Sequence, residues 1–190
     1  MERRTYLAAF GTAGVGALAG CSVPSTTTRM TDPTVKDADT ETHLVYRDDD
    51  GRVAVTSVQY GPVTDQGLIR MQLSIWHRAK TTVEDLSVTV RTREPAVPAP
   101  EVYLAAPSRD FPAVHFSRDE NSDGRQFAVP DIEEVGRGTV TIEWFLRSFD
   151  DEWPVELAVD VDYDLDGGTF TTYTVDGTVE FELEQNVTFA

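Results

Sequence analysis

From Leu44 onward, apolar and polar residues alternate with a period of two. Ile69, Met71, Leu73 and Ile75 fall on one side of the chain, and Arg70, Gln72 and Ser74 on the other. Leu86, Val88 and Val90 repeat the pattern, as do Val140, Ile142, Trp144 and Leu146. The longest run is Val155, Leu157, Val159, Val161 and Tyr163, set against Glu156, Asp160, Asp162 and Asp164. Near the C-terminus Val179, Phe181 and Leu183 alternate with Glu180, Glu182 and Glu184. Side chains alternate across a strand, so each run predicts a strand with one buried and one wetted face. No segment carries a convincing helical period. The expectation is an all-β, antiparallel sandwich of about nine strands over residues 44–190. The shortest of them are placed around Val102–Leu104, Val114–Phe116 and Gln126–Val129.

Turn chemistry punctuates these runs. Asp49-Asp50-Gly51, Asp166-Gly167-Gly168 and Asp176-Gly177 are sites where a positive φ costs little. At Asp176-Gly177 a loop with a glycine bulge would turn Tyr173 and Val175 inward, and burial favours it over a two-residue turn. Pro95, Pro98 and Pro100 mark a loop or sheet edge, where a missing ladder donor is tolerated.

The first 43 residues follow different rules. Arg3 and Arg4 precede an uncharged stretch from Thr5 to Gly20 that ends in small residues. This is the physical make-up of an export signal, and it falls short of the about 20 apolar residues a bilayer span needs. Arg3-Arg4-Thr5-Tyr6-Leu7 resembles the twin-arginine export pattern, with Glu2 and Ala8 departing from it. Leu18-Ala19-Gly20-Cys21 is similar to a lipoprotein lipobox. That resemblance implies cleavage after residue 20 and a two-chain lipid on Cys21, which gives stable anchoring where one chain does not. Cys21 is the chain's only cysteine, so no intramolecular disulfide is available. Residues 21–43, rich in Thr, Ser, Asp and Pro, read as a flexible tether on which Thr26, Thr27 and Thr28 are candidates for O-linked sugar.

Charge narrows the partners. The chain has 16 basic and 33 acidic residues, a net −17, and its only lysines are Lys36 and Lys80. Such a surface lacks the basic stripe of a nucleic-acid binder and offers little general attraction to anionic lipid. Membrane contact is therefore assigned to the lipid on Cys21, and any other partner to an envelope protein or surface glycan. The acidic, lysine-poor composition resembles that of proteins from salt-loving archaea. Where the Debye length is only about 3 Å, in about 1 M salt, crowded carboxylates barely repel one another.

A second resemblance rests on two stretches. Ile69–Val90 is an alternating strand, a polar turn and another strand, and Gly136-Arg137-Gly138-Thr139-Val140-Thr141-Ile142 leads on to Val155–Tyr163. Together they resemble the immunoglobulin-like accessory domains of archaeal and bacterial cell surfaces, and the whole chain is similar to haloarchaeal surface lipoproteins. The resemblance implies a fold and an extracytoplasmic place, and it carries no catalytic residues.

Candidate chemistry is sparse. Asp162, Asp164 and Asp166, before Gly167, match the opening of a calcium loop, and Asp119, Asn121 and Asp123, before Gly124, match it with Asn in the middle. Their twelfth positions are Tyr173 and Pro130 in place of the closing Glu. His43, His77 and His115 have no metal-ligand spacing, no Gly-x-Ser-x-Gly elbow occurs, and Gly136-Arg137-Gly138 reads as a turn. Asn186-Val187-Thr188 is a formal N-glycosylation acceptor. Trp153-Pro154 and Phe111-Pro112 each offer a rigid aromatic, for a partner or as a plug at one end of the sandwich. The sequence therefore points to a non-catalytic, lipid-anchored surface module that binds or supports another envelope component. A solute- or calcium-binding lipoprotein is the alternative, and a carboxylate-based envelope hydrolase the third. No cofactor is expected beyond calcium at those two strings.

Overall fold

The computed structural model describes residues 26–94, 97–104, 114–118, 124–130, 132, 138–148, 153, 156–168 and 171–183. These form twelve strands: β1 (Thr26–Met30), β2 (Thr34–Ala38), β3 (Glu41–Asp48), β4 (Gly51–Val63), β5 (Leu68–His77), β6 (Thr82–Thr92), β7 (Glu101–Leu104), β8 (His115–Arg118), β9 (Arg125–Val129), β10 (Thr139–Arg147), β11 (Glu156–Asp166) and β12 (Thr171–Glu182). They make two six-stranded sheets, ordered β1-β12-β11-β6-β9-β8 and β2-β3-β4-β5-β10-β7. Every pairing is antiparallel except β1 on β12. The expected all-β, antiparallel sandwich is the fold, with twelve strands among the described residues instead of about nine.

Period-two alternation sets the core. Ile69, Met71, Leu73 and Ile75 of β5 are fully buried, as are Leu86, Val88 and Val90 of β6 and Leu157 and Val159 of β11. Trp144 of β10 meets Phe127 of β9 edge-on across the interior, ring centroids 5.5 Å apart. Bulges interrupt the ladders. Asp85, at φ 46°, is the extra residue of β6 opposite the β11 segment Asp162–Asp164. A second bulge puts Val53 and Ala54 of β4 side by side in the core.

Two expectations are corrected. Residues 26–38 are not a tether. β1 pairs with β12 from Thr26↔Thr171 to Met30↔Val175, and β2 pairs with β3 from Thr34↔Val45 to Ala38↔Glu41. These edge strands show almost no apolar alternation, because backbone ladders hold them in place while most of their side chains face water. Among the described residues the sandwich thus starts at Thr26, ahead of Leu44.

The second correction concerns Asp176-Gly177, which makes no turn. β12 runs unbroken through it, with Asp176 opposite Asp162 and Gly177 opposite Val161. Glycine serves a different purpose there, because Tyr46 of the other sheet packs directly against its Cα. The turns at Asp49-Asp50 and Asp166-Gly167-Gly168 fall where expected, joining β3 to β4 and β11 to β12.

Buried tyrosine hydroxyls bridge the sheets. Tyr46 Oη on β3 donates to the Asp176 carbonyl on β12 at 3.1 Å, and Tyr163 Oη on β11 lies 2.9 Å from Thr56 Oγ1 on β4. Burial raises the pKa of both phenols. At the end of the sandwich that holds the β3–β4 turn, Arg78 donates to Asp48 Oδ2 at 2.6 Å, and Tyr173 Oη donates to the same oxygen at 3.2 Å. Hydrogen bonding from Arg78 holds the Asp48 carboxyl below the usual carboxylate range.

Candidate functional site

The two sheets do not close evenly at their β7 and β8 edges. β7 is four residues long and covers only the Trp144–Arg147 end of β10, while β8 is four residues long and covers β9. Between these edges lies a cleft of about 390 Å³ lined by Glu101, Val102, Tyr103, Phe116, Arg125 and Gln126, with Ser117 at its rim.

Two aromatics stand open in it. Phe116 occupies an inward position opposite Phe127, with ring centroids 6.4 Å apart. It nevertheless remains 57% exposed, since among the described residues β8 is the edge of its sheet. Tyr103 pairs with Phe145 on the outer face of the other sheet and is 44% exposed. Its hydroxyl donates to Glu101. Gln126 is fixed from both sides: its Oε1 accepts from Ser117 Oγ at 2.8 Å, and its Nε2 donates to Ser87 Oγ at 2.8 Å. The cleft therefore combines apolar rings with oriented polar groups and one guanidinium. That combination is suited to holding a ligand and, among the described residues, contains no paired nucleophile and base.

Sequence reasoning missed this site. Tyr103 and Phe116 sit on separate strands of different sheets and line one cleft only because the chain crosses between sheets. The residues it singled out lie elsewhere. Asp162, Asp164 and Asp166 occupy alternate positions of extended β11, where the first and third are about 13 Å apart, too far to wrap one ion. Asp166 Oδ1 instead accepts from the Gly168 amide at 2.9 Å, as part of the turn. Among the described residues no group of three or more His, Cys, Asp or Glu is placed to hold a metal. Asp119, Asn121, Asp123, Asn186, Cys21, Arg3, Arg4 and Phe111 lie outside the described residues.

The histidines are dispersed. His77 is buried on β5 with Nδ1 2.8 Å from Thr81 Oγ1. His43 Nδ1 meets Ser57 Oγ at 2.7 Å, and His115 is exposed on β8 of the other sheet. Trp153 is partly buried and packs against the core.

Fold and cleft define a two-sheet β-sandwich with a ligand-sized opening at one seam. Within that class, the chain belongs to the family described as Domain of unknown function (DUF8121), which matches residues 27–185. The match begins at β1, in keeping with a sandwich that includes it. A comparison with curated proteins finds no match.

Three solved structures are similar in fold. The collagen-binding domain from a Staphylococcus aureus adhesin is 11% identical, with 65% of this chain and 95% of that chain covered and a TM-score of 0.35. A collagen adhesin structure from S. aureus is 10% identical, with coverages of 82% and 78% and a TM-score of 0.29. AvmM, which catalyses macrocyclization in alchivemycin A biosynthesis, is 10% identical, with coverages of 83% and 98% and a TM-score of 0.37. Neighbours this distant, with such different roles, assign no ligand and no reaction.

Proposed function

We propose that the protein is a lipid-anchored, non-catalytic module of the extracytoplasmic membrane face that uses the β7–β8 cleft to bind another envelope component. The observation that carries this reading is the exposure of Tyr103 and Phe116 around the cleft, beside the oriented Gln126 amide. Exposed aromatics concentrated at one concave seam mark a binding surface better than aromatics scattered singly. Arg3-Arg4 and the lipobox ending at Cys21 support export and anchoring, and the acidic, lysine-poor chain supports a high-salt setting. Among the described residues no helix is long and apolar enough to cross a membrane.

The test is crosslinking and pull-down from intact cells in molar salt, with wild type, Cys21→Ser, and a Tyr103→Ala/Phe116→Ala double variant. Wild type captures a specific envelope component, the double variant loses it, and Cys21→Ser appears in the medium. Equal capture by the double variant would remove the cleft from the function. Retention of Cys21→Ser on the membrane would remove the anchor.

A further inference from the structure

We infer that the sandwich end formed by the β3–β4, β5–β6 and β11–β12 turns faces the lipid headgroups, and that the Tyr103–Phe116 cleft is held at the diagonally opposite corner, away from them. The inference rests on the proposed lipid at Cys21.

Its first support is chain length. β1 begins at Thr26, five residues after Cys21, and five residues span at most about 18 Å. Thr26 is fixed to the domain by its pairing with Thr171, the first residue of β12, directly after the β11–β12 turn. Asp166, before that turn, pairs with Thr82 at the start of β6, so the β5–β6 turn lies at the same end. The β3–β4 turn joins them through Tyr173 and Arg78, which both donate to Asp48.

The cleft is remote in both directions of the sheet. Arg125 pairs with Val90, eight residues along β6 from Thr82, or about 25 Å toward the other end. β8 and β1 are opposite edges of one sheet, five strand spacings or about 24 Å apart. An 18 Å leash keeps the Thr26 corner beside the membrane and leaves the cleft corner beyond it.

The experiment uses the lipidated protein in vesicles of phosphatidylcholine and phosphatidylglycerol with a nitroxide on a fraction of the headgroups. Since Cys21 is the only cysteine and carries the lipid, single substitutions Asp49→Cys, Ser117→Cys and Asp65→Cys each give one fluorophore site, all at exposed positions. The expected result is headgroup quenching several-fold stronger at position 49 than at 117 or 65. Equal quenching at the three positions, or the reverse order, would overturn the orientation. Failure of the unlabelled wild type to partition into vesicles would instead overturn the anchor, and the orientation with it.

Discussion

A Cβ placed on Gly177 would sit 2.2 Å from the hydroxyl of Tyr46 and 2.6 Å from Leu44 Cδ1. The missing side chain lets Tyr46 cross from one sheet and donate to the Asp176 carbonyl of the other. Gly177→Ala must displace a buried phenol or a buried leucine, and overpacking of this kind costs about 1–3 kcal/mol. The expected outcome is a lowered thermal midpoint in molar salt. Tyr46→Phe removes only the hydroxyl and its hydrogen bond, a loss of about 1 kcal/mol. Combining the two substitutions relieves part of the clash, so the double variant should be more stable than the sum of the singles predicts. Additive losses would show that the Tyr46–Gly177 contact is not what glycine protects.

The same phenols give the fold an alkaline limit. Burial raises the folded pKa of Tyr46 and Tyr163 above the ordinary tyrosine value, so the folded state holds these protons more tightly than the unfolded chain. Their contribution is fully present below about pH 10, where unfolded tyrosine titrates, and is lost as pH rises beyond it. Stability measured by urea unfolding should therefore decline above about pH 10, less steeply in Tyr163→Phe than in wild type. A profile flat from neutrality to pH 11 would contradict the burial of both hydroxyls.

How much of this was legible in the sequence depends on whether a residue's role is local. The core faces of β5, β6, β10 and β11 were legible because each strand is wetted on one side, and alternation is a property of consecutive residues. β1 and β2 were not. Thr26–Met30 and Thr34–Ala38 are edge strands whose membership lies in backbone ladders, and only Met30 among them is buried. Gly177 was misread because Asp-Gly has the same local chemistry in a turn as in a strand, and its partner Tyr46 lies 131 residues away. The cleft was illegible for a similar reason. Phe116 has the right phase for the core, and its place on the edge strand β8 leaves it exposed. The aspartates of β11 were the opposite case, a suggestive local string that the extended backbone pulls apart.

Crowded carboxylates make the fold dependent on salt. Asp162 and Asp176 are directly opposite on β11 and β12. Partial loss of water raises the Asp162 pKa, Asp176 and Asp160 add to the rise, and Arg29 opposes it. The ionised carboxylate at neutral pH is thus a cost to the folded state that protonation would relieve. Asp162→Asn should raise the thermal midpoint in dilute buffer, and the gain should shrink as salt shortens the Debye length toward about 3 Å. Wild type itself should lose stability on dialysis from molar to millimolar salt, because a chain of net −17 then repels itself. A midpoint independent of salt in both proteins would contradict this account.

Tyr103 and Phe116 should separate binding from stability. Neither ring is enclosed by the core, and each belongs to a four-residue edge strand. Truncating either to alanine removes little packing, and such surface changes ordinarily stay within about 0.5 kcal/mol. Trp144 serves as the contrast. It is fully buried against Phe127, and replacing a core aromatic by alanine costs about 3–5 kcal/mol. Thermal midpoints of the three single variants in molar salt, alongside capture of the envelope component, give the comparison. The expected pattern is a near-native midpoint with lost capture for Tyr103→Ala and Phe116→Ala, and a large fall in midpoint for Trp144→Ala. A comparable fall for Tyr103→Ala or Phe116→Ala would mean that these rings hold the seam of the sandwich together. In that case their exposure would not mark a binding surface.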